Sequence, residues 1–325
     1  MKKVIFVGGT SYSGSTMLDM ILSNDEKGYS LGEVIALFRP FKNHYQEERE
    51  KIFSKKDPVW YQILKNGPNS LYPTLFKEFE NKIDFFVDSS KNPFWIAKQT
   101  KILKEMGVDV QNVLIYKNPF DLAHSYNKRK RYNDWESAYV KYHIQYINLI
   151  EDFFTVSYKD VVSNDEIIKE VCSYVGIDFY VEKNKFWLNK KITTFFGNDR
   201  TRYHKFNKEQ EIIKSVDTTS IDKSNDYQNL YYYPCKDDNI IKKVNDRSFK
   251  NKNIVQINKL LELLNTKDSK SVDINSIKIY NKAFLFQISK ANFRFRNFIL
   301  ETIGSSIFHA HERYLLSKRL NKKDE

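Results

Sequence analysis

Cysteine is scarce in this chain, with two residues among 325, Cys172 and Cys235. They stand far apart, with no CxxC pair and no Cys/His ligand spacing around them. That excludes a disulfide framework and a structural zinc site, and fits a reducing compartment. Long apolar runs are missing as well: no stretch approaches the roughly 20 residues that span a bilayer. Met1-Lys2-Lys3 could open a signal peptide, but the apolar run Val4 to Val7 ends at Gly8-Gly9 and gives way to a polar loop. That is the pattern of a buried first strand. There is no internal repeat.

What the chain does have is positive charge. Its 53 Lys+Arg against 41 Asp+Glu leave a formal net charge of +12. Such a balance favours acidic partners, whether nucleotides, anionic polysaccharides, nucleic acid or membrane surfaces, without choosing among them. The length suffices for one large α/β core, or for a smaller core with a helical appendage.

Short apolar runs alternate with helical patterns. Val4 to Val7 reads as a strand covered on both faces, the turn Gly8 to Ser15 follows, and Met17-Leu18-Met20-Ile21-Leu22 continues as a helix. Phe85-Phe86-Val87 is a second strand candidate, followed by a helix from Pro93 to just before Gly107. Val113 to Tyr116 is a third, with a turn at Lys117-Asn118-Pro119 and a helix from Phe120 to about Arg129. Residues 135–151 and 164–175 read as helices, with Phe153 to Tyr158 extended between them. The expected fold is therefore α/β: a mainly parallel sheet flanked by helices, of the P-loop nucleotide-binding type, with ligands at the carboxyl ends of the strands. After about residue 215 the alternation stops. Residues 1–215 are expected to form the α/β domain and 216–325 a basic, mainly helical extension, with helices near 251–265 and 279–318.

Gly9-Thr10-Ser11-Tyr12-Ser13-Gly14-Ser15-Thr16 has the spacing of a Walker A loop, G-x-x-x-x-G-K-S/T, with Ser15 in place of the lysine. Backbone N–H groups of such a loop and the positive end of the following helix can hold an oxyanion, with Ser13, Ser15 and Thr16 adding hydroxyl donors. An ATP or GTP enzyme would lack its usual β/γ-phosphate lysine here, whereas a phosphosulfate carries less charge and can do without it. Tyr12-Ser13-Gly14-Ser15-Thr16-Met17-Leu18 resembles the 5′-phosphosulfate loop of the sulfotransferase family, R-S-G-S/T-S/T-x-L, with Tyr12 in the arginine position. The resemblance implies a cofactor, 3′-phosphoadenosine 5′-phosphosulfate (PAPS), acting as co-substrate.

Lys117-Asn118-Pro119-Phe120-Asp121-Leu122-Ala123-His124-Ser125, following the strand Val113 to Tyr116, resembles the family's strand-R-D-P-x-x-x-x-x-S element. That element binds the 3′-phosphate, so Lys117 and Ser125 take that role by resemblance. Lysine supplies a point charge where arginine supplies a fork. Gly197-Asn198-Asp199-Arg200-Thr201-Arg202 resembles the G-N-P-x-R element that closes over the nucleotide, with Arg200 and Arg202 both candidates. The resemblance covers about residues 3–205.

Sulfuryl transfer needs an acceptor hydroxyl in line with the sulfur, a base for its proton, and donors for charge on the leaving oxygen. Glu33, in Leu31-Gly32-Glu33-Val34, resembles the family's G-E carboxylate base, and His44 is a second candidate. Asp88-Ser89-Ser90-Lys91-Asn92-Pro93 resembles its D-x-S/T-K/P element. By that resemblance Lys91 stabilises the transferring group, Ser90 assists it, and Asp88 orients the loop. The alternative is that Asp88 and Ser90 only cap the helix. Residues 34–84, with Trp60, Tyr61, Tyr72 and Phe76, form either the acceptor site or a small core of their own.

The expectation is thus a cytoplasmic PAPS-dependent sulfotransferase acting on a hydroxyl acceptor, with a glycan as the first class and no metal or nucleic acid. The basic, aromatic tail could pack on the domain or touch the inner face of the membrane. The alternatives are a P-loop kinase or NTPase, and a nucleotide- or glycan-binding protein of the same fold without turnover.

Overall fold

The computed structural model describes residues 2–38, 58–129 and 135–188, together with Gly197, Thr201, Ile257, residues 260–262, Leu264 and Asn265. Five strands, β1 (Lys3–Gly8), β2 (Gly28–Gly32), β3 (Phe85–Asp88), β4 (Asp109–Tyr116) and β5 (Phe154–Ser157), form one sheet in the order β2-β3-β1-β4-β5. All four pairings are parallel. The helices are α1 (Ser15–Leu22), α2 (Pro58–Asn66), α3 (Leu71–Glu78), α4 (Pro93–Glu105), α5 (Pro119–Asn127), α6 (Trp135–Leu149), α7 (Tyr158–Ser163) and α8 (Asp165–Val175). This is an α/β fold with an all-parallel sheet flanked by helices, as the alternation of apolar runs and helical patterns implied.

A parallel sheet is covered on both faces, and the central strand shows it: Val4, Ile5, Phe6 and Val7 are all fully buried. Alternation sends Val4 and Phe6 into one core, with Trp60, Tyr72, Trp95 and Tyr139. Ile5 and Val7 enter the other, with Met17, Leu18, Val161 and Ile168. From β1 the chain goes to the edge strand β2, returns to β3 between them, and then crosses β1 to β4 and β5, so the connections leaving β1 and β4 run opposite ways. β1 is therefore the switch point, and the crevice beyond its carboxyl end is where a ligand lodges in such a sheet.

Three features add to the sequence reading. Gly28–Gly32 is an additional edge strand; its sequence, GYSLG, offers no apolar run, and only its last three residues are buried. Trp60, Tyr72 and Phe76 are core residues of α2 and α3, so of the four aromatics placed near the acceptor only Tyr61 is exposed. Ile257, Leu260 and Leu264 are buried in the same core as β4. The Thr155 hydroxyl donates to the Leu264 carbonyl at 2.5 Å, and the Tyr116 hydroxyl to Asn265 Oδ1 at 2.6 Å. Core side chains therefore lie beyond the boundary expected at residue 215. The helix expected at 279–318 and Cys235 lie outside the described residues.

Candidate active site

β1 ends at Gly8, and the loop that follows turns back on itself through Ser13 N–H donating to Thr10 O (3.2 Å) before α1 starts. Gly14 has φ 101°, and a Cβ there would lie 2.2 Å from the Tyr158 ring, so glycine is required on both counts. No side chain caps α1, whose N-cap is Gly14. The Thr10 and Ser13 hydroxyls are buried without a hydrogen-bond partner. An uncapped helix start above orphaned hydroxyls is the donor set an oxyanion satisfies. Ser15 and Thr16, which open the helix, are also buried. A Cβ on Gly197 would lie 2.9 Å from Thr16 Oγ1, so the Gly197–Arg202 element begins against this loop. Arg200, Arg202 and His44 lie outside the described residues.

The ends of β2 and β3 bring Glu33 and Lys91 together. Ser89 N–H donates to Gly32 O at 2.8 Å, and the Ser90 hydroxyl accepts from Ile35 N–H at 3.0 Å, so the two strand ends are laced to each other. Lys91 takes φ 64°, a left-handed conformation uncommon for a residue with a side chain, and its Nζ forms an ion pair with Glu33 Oε1. Both side chains are mostly enclosed, at 17% and 14% exposure. Residues 58 positions apart thus meet at one point.

Ser90 reaches this site through its bond to the Ile35 backbone. Neither it nor Asp88 caps α4: that cap is the Asn92 side chain, which accepts from Trp95 N–H at 3.0 Å. Asp88 lies buried below, accepting from the Tyr72 hydroxyl (2.7 Å), Trp95 Nε1 (2.9 Å) and Ser90 N–H (2.7 Å). Burial raises its pKa, against the pull of those bonds. Asp19 of α1 accepts from the Ser89 hydroxyl at 2.6 Å, and its pKa is pushed up to about 7, chiefly by burial.

A tyrosine joins these two assemblies. Gly9 N–H donates to the Tyr142 hydroxyl oxygen at 2.7 Å, and that hydroxyl donates to the Lys91 carbonyl at 2.6 Å. The phosphate loop and the lysine turn are therefore held at a fixed separation by one side chain of α6.

On the other side of β1, Lys117 leaves the end of β4, and its Nζ lies 3.3 Å from Ser125 Oγ. Asn118 caps α5 by accepting from Phe120 N–H at 2.9 Å. The Lys117 ammonium sits 4.2 Å above the Tyr158 ring, the ring that packs against Gly14. Burial lowers its pKa to about 8; Asp121 opposes the shift, and Arg129 and Lys128 add to it.

Arg129 is the residue that sequence reading missed. Its guanidinium lies 4.0 Å from the centre of the Tyr12 ring and donates to Ser125 O at 2.9 Å. Tyr12 takes φ 70°, and its ring also meets Tyr126 edge-on at 5.1 Å. The signal available in the sequence was an arginine four positions after Ser125, just past the end of α5.

Among the described residues there is no group of three or more His, Cys, Asp or Glu that could hold a metal ion. None of their helices is long and apolar enough to cross a membrane.

No protein-family model and no curated protein matches the chain. Among solved structures it is similar in fold to the sulfotransferase domain from the curacin biosynthetic pathway, at 15% identity and TM-score 0.46, covering 71% of this chain and 96% of that one. It is also similar to the sulfotransferase domain from the Synechococcus PCC 7002 olefin synthase, at 16% identity and TM-score 0.42 over 71% and 94% of the two chains. A sulfotransferase from Alicyclobacillus acidocaldarius matches at 13% identity and TM-score 0.38, over 66% of this chain and 96% of that one.

Proposed function

We propose that this chain is a sulfotransferase that uses PAPS as co-substrate and transfers its sulfuryl group to a hydroxyl acceptor. The observation that carries the reading is the pairing of two unlike anion sites across the switch point. One is a lysine-free loop with orphaned buried hydroxyls after β1; the other is the Lys117–Ser125 pair after β4. A nucleotide with phosphate-type groups on both its 5′ and 3′ sides fits that pairing.

When bound, the nucleotide supplies an activated sulfuryl group with a phosphate as leaving group. The Thr10 and Ser13 hydroxyls and the start of α1 hold the phosphosulfate end. Lys117 and Ser125 hold the 3′-phosphate. The Glu33 carboxylate takes the acceptor proton, and the Lys91 ammonium offsets charge on the leaving oxygen. Because Glu33 and Lys91 are already paired, the acceptor hydroxyl enters by sharing that carboxylate with Nζ. Tyr142 keeps the lysine turn in register with the loop.

Carbohydrate is our proposed acceptor class. Exposed Tyr61, together with the basic surface, supports it. Calorimetry of the full chain with 3′-phosphoadenosine 5′-phosphate (PAP) and with ATP tests the cofactor: PAP should bind more tightly. Preference for ATP, or binding of neither, overturns the reading. Labelled PAPS offered with a panel of oligosaccharides tests the acceptor, and label that reaches no sugar hydroxyl removes the carbohydrate class.

A further inference from the structure

We propose that Arg129 is the second cation of the 3′-phosphate site, and that it is the residue by which this chain tells a 3′-phosphorylated nucleotide from an unphosphorylated one. The inference rests on the sulfotransferase reading above and adds to it a residue which the motifs did not assign.

The two motif positions where the sulfotransferase pattern has arginine are here Tyr12 and Lys117. Together they lack one cation and two planar forks, and the guanidinium of Arg129 beside them supplies the cation and one fork. The Arg129 guanidinium lies over the Tyr12 ring, 4.0 Å from its centre, next to the residue that lacks the charge. It is also tied to the backbone of Ser125, whose hydroxyl faces Lys117. Ser125 is thus flanked by an ammonium on its side chain and a guanidinium on its carbonyl.

Contact with the ring and one N–H bond to Ser125 O hold the guanidinium in place while leaving other N–H groups for an anion. The Tyr12 backbone holds a left-handed conformation that a residue with a side chain seldom adopts, and that turn sets the ring beneath the guanidinium.

Charge points the same way. Arg129 and Lys128 both act on the Lys117 ammonium, holding its pKa down, and Asp121 opposes them. Like charges gathered around one serine repel each other, and an entering phosphate dianion relieves that repulsion. A guanidinium fork also matches a terminal phosphate better than an ammonium does.

The test is calorimetric binding of PAP and of adenosine 5′-phosphate to the full chain and to Arg129→Met and Arg129→Lys. The wild type should prefer PAP. Arg129→Met should weaken PAP about 10- to 100-fold and leave adenosine 5′-phosphate within about twofold. Arg129→Lys, which keeps the charge and loses the fork, should fall between the two. Arg129 is exposed, so its variants should keep the wild-type melting temperature. PAP affinity unchanged in Arg129→Met overturns the proposal. An equal loss for both nucleotides also overturns it, since it would show that the arginine merely props Tyr12. A wild type that does not distinguish PAP from adenosine 5′-phosphate would instead sink the underlying sulfotransferase reading.

Discussion

The two anion sites on either side of β1 are built on different principles. The loop after β1 offers backbone N–H groups, an uncapped helix and neutral hydroxyls, and it carries no cation of its own. The site after β4 sets Lys117 and Arg129 against one serine, with Lys128 near enough to act on Lys117. Fixed dipoles stabilise charge at short range and hold it in one orientation. Cations act further out, and they answer to salt and, for a buried lysine, to pH. Under the proposed function, the first would present the reacting end and the second would select and retain the nucleotide.

If that division holds, the largest effect comes from a residue belonging to neither site. Glu33→Gln should lower sulfuryl transfer by about 10²- to 10⁴-fold while PAP affinity stays within about twofold. Single-turnover transfer measured alongside calorimetry checks this, and a matching loss of affinity would show that Glu33 belongs to the nucleotide site instead.

The next effect separates the sites by pH. Lys117 titrates at about 8, below its ordinary value, so its cation is present below that pH and lost above it. PAP affinity should fall about tenfold between pH 7.5 and 9, and Lys117→Arg, which keeps its charge, should flatten the fall. A wild-type affinity constant across that range would break the contrast.

The smallest effect belongs to the loop. Ser13→Ala should weaken PAP about two- to tenfold, by the same factor at pH 7 and pH 9. A pH-dependent loss would mean that the two sites are coupled rather than distinct.

Where a feature was written in consecutive residues, the sequence revealed it. The run Val4 to Val7, the G-x-x-x-x-G spacing and the eight-residue step from Lys117 to Ser125 each encode one local geometry, and each appears as expected. β2 escaped notice because an edge strand with one partner needs no long apolar run. The Trp60, Tyr72 and Phe76 rings could not be divided between core and acceptor from composition, since either environment accepts an aromatic. The Glu33–Lys91 pair and the Arg129–Tyr12 stack depend on φ values of 64° at Lys91 and 70° at Tyr12. No residue type announces such conformations when glycine is absent from the position.

Leu264 and Asn265 fasten onto β5 and β4, about 100 to 150 residues further along the chain than the strands they serve. A ribosome that has delivered all five strands has not yet delivered Ile257, Leu260 and Leu264, three side chains of their core. Domains usually fold during synthesis as their sequences emerge. This one must hold an incomplete core, with the Tyr116 hydroxyl still lacking its Asn265 partner, until the distant segment arrives. Order of synthesis and order of completion therefore differ here, and the end of β4, where Lys117 leaves the sheet, is finished late.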